Sequence, residues 1–66
     1  MAVARVTKIT ASSTTSFQEA VNEGLSRAAS TLRGITGLEV VAQKAKVEDG
    51  RITEYRVTIE LTFVLD

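Results

Sequence analysis

The stretch RITEYRVTIELTFVL, residues 51–65, decides the fold. Tyr55, Val57, Ile59, Leu61, Phe63 and Leu65 alternate with Glu54, Arg56, Thr58, Glu60 and Thr62. Side chains of a strand point to opposite faces in turn, so this pattern predicts a long strand with one apolar and one polar face. Just before it, Glu48-Asp49-Gly50 is a turn signal, because Gly50 accepts a positive φ at no steric cost. Residues 38–47, LEVVAQKAKV, read as the other strand of that hairpin.

Upstream the period changes. Phe17, Val21, Leu25, Ala28 and Leu32 recur every three or four residues, the stripe of an amphipathic helix. Ser16 and Glu19 have the spacing of a capping box, with Ser13 a rival cap one turn earlier. Arg33 suits the negative end of the helix dipole, and Gly34 suits a left-handed helix terminus. Gly24, mid-helix, implies close approach of helix to sheet. Residues 3–10, VARVTKIT, are rich in Val, Ile and Thr and predict a first strand. The Ser/Thr cluster Thr10–Ser16 predicts a loop opening the helix. The fold class is therefore α+β. A β-α-β-β chain forms a three-stranded antiparallel sheet wrapped on one helix, with the last strand in the middle. Residues 1–66 read as one domain.

Composition narrows the function. The chain has neither Cys nor His. Disulfides, thiolate metal sites and cysteine nucleophiles are excluded, together with the side chain best suited to proton transfer near neutral pH. Eight Lys and Arg balance eight Asp and Glu, so no basic excess points to nucleic acid. No apolar run is long enough to span a membrane by helix, and MAVARVTKI lacks the apolar core of a signal peptide; the expected location is the cytoplasm. No G-x-S-x-G or Gly-rich phosphate loop is present, and the hydroxyls of residues 12–16 have no base beside them. An enzyme is not expected.

Size points to self-association. One helix stripe on one sheet face is a thin core, and chains of 66 residues need reinforcement. Without Cys or His, a homo-oligomer is the expected reinforcement. The second sheet face, with Val41 and Val64 among Gln43, Arg56, Thr58 and Thr62, either meets water or packs on other copies.

Taken in order, Val3-Ala4-Arg5-Val6, Ser12-Ser13, Ser16-Phe17-Gln18-Glu19-Ala20-Val21, Leu38-Glu39-Val40-Val41-Ala42-Gln43-Lys44 and Tyr55-Arg56-Val57-Thr58-Ile59-Glu60-Leu61-Thr62-Phe63 resemble the segments of the dodecins. Those small β-α-β-β proteins assemble as hollow dodecamers and bind flavins. The resemblance implies a homododecameric shell that stores or sequesters a flavin such as riboflavin or FMN. Its ligand-binding positions carry over to Gly37, Leu38, Gln43 and Arg56. The family's stacking Trp is here Gly37, the following Phe is Leu38, and the Gln that hydrogen-bonds the ring edge is Arg56. Loss of stacking removes about 1–3 kcal/mol. Arg56 has donors but no acceptor for a ring N–H. Flavin binding is therefore expected to be weak or absent.

A second function follows from the hairpin register. If Val47 pairs with Ile52, Gln43 falls opposite Arg56 and Glu39 opposite Glu60, all on the second face. Two opposed carboxylates either repel until a neighbouring cation neutralises them, or form a hard-cation site of oxygen ligands. Some flavin-free dodecins are associated with calcium, so Glu39 and Glu60 are the candidate metal ligands. Arg5, Lys44, Lys46 and Arg51 would form either an anion-binding rim or a solvated charge set.

Overall fold

The protein is described by a computed structural model covering residues 3–65. Strand β1 (Val3–Ser13) leads through a short loop to helix α1 (Phe17–Ala29), followed by β2 (Ile35–Glu48) and β3 (Arg51–Leu65). The sheet order is β1-β3-β2, and both outer strands run antiparallel to β3. The best-patterned strand is thus central, as expected. Val57, Ile59 and Leu61 are its fully buried residues, and Phe63 is buried beside them.

The helix begins where the capping residues place it. The Oγ of Ser16 accepts the Glu19 N–H at 3.0 Å. The Oγ of Ser13 accepts the Thr15 N–H at 2.9 Å and so closes the end of β1. Thr10–Ser13 belong to the strand, not to the expected loop, because β3 is long enough to pair them up to Ser13 opposite Tyr55. Thr10 and Thr58 share a hydroxyl hydrogen bond of 3.2 Å across that ladder.

The helix ends earlier than its stripe suggested. Its C-cap is Ser30, whose hydroxyl donates to the Arg27 carbonyl at 2.7 Å. Arg33 and Gly34 lie in the following connection. Gly34 has the anticipated positive φ, but there it turns the chain into β2. The row facing the sheet is Ala20, Gly24 and Ala28, one residue per turn. Phe17 and Val21 flank it half-buried, and Leu25 is exposed. The reason is distance. A Cβ on Gly24 would sit 3.1 Å from the Ala11 Cβ and 3.3 Å from the Ile59 Cδ1. Only small side chains fit at that separation, so the large ones spread to either side.

The hairpin turn is Asp49-Gly50, with φ of 52° and 74°. Positive φ at both central residues defines the type I′ turn that suits twisted strands. Beyond it, single-residue bulges shift the ladder three times. Val47 pairs with Ile52 as expected, but Thr53 is then extra, so Lys46 meets Glu54 and Lys44 meets Arg56. Val41 is extra on the other strand and restores the register, so Glu39 does stand opposite Glu60. Between the two bulges every pair is displaced by one. Gln43 is consequently opposite Val57 on the helix side, and Ala42 is opposite Thr58 on the outer side. This corrects the expected Gln43–Arg56 pair and the placing of Gln43 on the second face.

Candidate functional site

Helix α1 packs against β1 and β3 and leaves the helix side of β2 bare. Leu38, Val40, Gln43 and Ala45 lie on that side, opposite Leu61, Ile59, Val57 and Tyr55. The bare region deepens into a hollow where the chain passes from helix to strand. Leu32 N–H donates to the Ala28 carbonyl at 2.8 Å, and Val64 N–H donates to the Gly34 carbonyl at 3.1 Å. These bonds hold the connection against the end of β3. Leu25 and Ala29 of the helix then face Ile35, Thr36, Gly37 and Leu38 across a hollow of about 420 Å³. Its lining holds no charged and no aromatic side chain. Leu25 and Ala29 were not legible as site residues, because the helical period assigns Leu25 to the core.

Gly37 needs no glycine for its backbone. Its φ is outside the left-handed region, and an added Cβ would meet only the Thr62 Cβ, at 3.9 Å. That Cβ would lie on the outer face beside Thr62, so Gly37 lines the hollow by its backbone alone. A larger hollow of about 550 Å³ lies on the other flank of the helix, between it and β1. Glu23 and Arg27, an ion pair at 3.3 Å, stand among its lining residues, and none of the sequence-nominated residues does.

The other candidates are dispersed. Gly37 is level with Thr62 and Arg56 is six residues along β3, roughly 20 Å away at the usual strand rise. The Arg56 guanidinium is paired with Glu54. Gln43 is exposed, midway along the bare side of β2. One chain therefore brings Gly37 and Leu38 together but not Gln43 or Arg56. The expected anion rim is also scattered. Arg5 is level with Phe63 and Lys44 with Arg56, seven residues apart along β3, while Lys46 pairs with Glu48 at 3.4 Å.

On the outer face, Lys8, Glu60 and Glu39 form one row across the sheet. The carboxylates are adjacent as the register requires. Among the described residues, no three carboxylates, His or Cys gather as a metal site. A cation held here would need oxygen ligands beyond those two side chains.

The sequence from residue 3 to residue 66 matches the family model of the dodecins. The chain belongs to the dodecin family. No curated protein matches the sequence, but solved dodecins match its structure closely. Dodecin from Streptomyces davaonensis is 34% identical with a TM-score of 0.92, over 98% of this chain and 96% of its own. Dodecin from Streptomyces coelicolor is 31% identical with a TM-score of 0.92, over 98% and 93%. The calcium dodecin of Mycobacterium tuberculosis, a calcium-chelating antigen with a novel calcium-binding site, is 31% identical with a TM-score of 0.83, over 97% and 91%.

As a dodecin, this chain brings no aromatic side chain of its own to the hollow. Phe63 is buried in the core, and Phe17 and Tyr55 pack edge to face on one another with ring centroids 5.0 Å apart. The molecule has no other aromatic residue, so none is free to face the hollow. The residues present do not fit a stacked isoalloxazine ring.

Among the described residues, no helix is long and apolar enough to cross a membrane.

Proposed function

We propose that this dodecin is a self-assembling shell that sequesters a small molecule, with no bond chemistry of its own, and that flavins bind it weakly or not at all. The observation that carries the reading is the uncharged hollow of about 420 Å³ at Gly37 and Leu38, a volume within the range of small-ligand sites. It contains the first two positions that the family resemblance nominates. Gln43 and Arg56 reach a ligand in that hollow only from another copy, because within one chain they stand too far along the sheet.

Shape supports the assembly. The chain's radius of gyration is 13.6 Å, against about 11 Å for a compact chain of this length. Native mass spectrometry of freshly purified protein tests both parts, since it reports subunit number and retained ligand together. A multimer carrying a small molecule is expected, with little fluorescence quenching when riboflavin or FMN is added. A monomer at every concentration defeats the assembly. Quenching with submicromolar affinity defeats the weak-flavin part.

The opposed Glu39 and Glu60 favour a second reading, a structural shell that holds calcium on its outer face. Lys8, level with Glu60, offers neutralisation instead of a cation. Calcium titration of the wild type beside Glu39→Gln separates them; equal responses remove the calcium reading.

A further inference from the structure

Strand β1 forms one margin of the sheet, with β3 on its inner side. Among the described residues no strand pairs with its outer edge. An open edge is a row of unpaired N–H and C=O groups, and proteins commonly blunt it with charged side chains. β1 is guarded in this way along only part of its length. Arg5 and Lys8 stand in its first two thirds, and the following Ile9-Thr10-Ala11-Ser12 carries no charge.

The unguarded stretch is the one that borders the hollow of about 550 Å³ beside the helix. Ile9 and Ala11 turn to the helix side, opposite Ile59 and Val57. Thr10 and Ser12 turn to the outer face, where the Thr10 hydroxyl meets that of Thr58 at 3.2 Å. Thr10 and Ser12 therefore border the hollow through their main chain. The facing wall is a helix row, Glu23, Arg27 and Thr31, spaced by four residues. Between the walls the floor is small and apolar, made by Ala11, Gly24 and Ala28. Arg27 donates to Glu23 through Nε alone, at 3.3 Å, and its terminal nitrogens have no partner among the described residues.

We infer that this hollow is a cleft for an extended acidic peptide of another protein, which adds to β1 as a fourth strand along residues 9–12. Main-chain hydrogen bonds to the edge hold the peptide, and every second side chain rests on the floor at Gly24. Its acidic side chains meet Arg27, Arg5 and Lys8, because β1 carries two cations and no acid. The same charges disfavour a second copy of the chain here, since β1 laid on β1 brings two Arg5 and two Lys8 together. The cleft lies on the flank of the helix away from Leu38, so it is separate from the small-molecule hollow.

The test is fluorescence anisotropy with the purified protein in its native oligomeric state. The probe is a labelled peptide of alternating valine and threonine flanked by glutamates. One control has a central proline, which cannot join a ladder, and is expected to bind about tenfold more weakly. A second control has lysines in place of the glutamates and is expected to bind more weakly still. The acidic peptide is expected to slow amide hydrogen exchange within residues 9–12. Arg27→Glu, with a side chain 83% exposed, is expected to weaken it about fivefold with unchanged circular dichroism. Equal binding of the proline peptide reduces the contact to charge attraction and overturns the inference. Protection confined to other strands overturns it too, and so does absence of binding, which means that the edge is already covered.

Discussion

Glu39 and Glu60 stand directly opposite one another on the outer face of the sheet, on two strands whose pairing slips and recovers on the way to them. Like charges at such positions destabilise a sheet by about 0.2–1 kcal/mol. Glu39→Gln is therefore expected to stabilise the protein by a few tenths of a kcal/mol in calcium-free buffer. Glu60→Gln should gain less, since it also removes the partner of Lys8. Thermal unfolding of both variants at low ionic strength checks this, and greater stabilisation from Glu60→Gln than from Glu39→Gln would contradict it.

Gly24 is set by the helix-to-sheet distance. Alanine recovers about 1 kcal/mol of helix propensity, but its Cβ meets the Ala11 Cβ, which is fixed to backbone, at 3.1 Å. Overpacking costs about 1–3 kcal/mol. The expected net effect of Gly24→Ala is a loss of about 1 kcal/mol, with a larger loss for Gly24→Val. Urea unfolding midpoints decide it; a stabilised Gly24→Ala means that the helix lifts without cost.

Gly37 has room for a side chain beside Thr62, where Gly24 has none. Gly37→Trp is expected to fold and assemble like the wild type and to acquire riboflavin binding at least tenfold tighter. Titration by flavin fluorescence gives the answer. Equal affinity in the two proteins would show that the missing aromatic face is not what weakens binding.

Ser16 is the helix cap, and its loss leaves the Glu19 N–H without its acceptor. Ser16→Ala should cost about 1 kcal/mol, and Ser16→Asp almost nothing. Ser13→Ala should cost less than Ser16→Ala, because Ser13 Oγ serves the loop and not the first turn. The same melting experiment ranks the three.

The sequence by itself determined the elements and their order. The two-residue period of residues 51–65, the helical period from Phe17, the Ser16 cap and the Asp49-Gly50 turn are local signals. Each follows from backbone sterics and nearest neighbours, and each appears in the structure, although the helix stops at Ala29, short of Leu32. The pair Glu39–Glu60 was also legible, because its two bulges cancel.

Tertiary structure decided the rest. Nothing local tells which helical row meets the sheet; that depends on how closely the helix approaches, and the approach selected Ala20, Gly24 and Ala28 over the larger residues beside them. Nothing local shows that Thr53 and Val41 are extra, since a bulge is a property of two strands together, and so Gln43 parted from Arg56. The hollow at Gly37 exists only because a helix narrower than the sheet settles over β1 and β3 and leaves β2 uncovered.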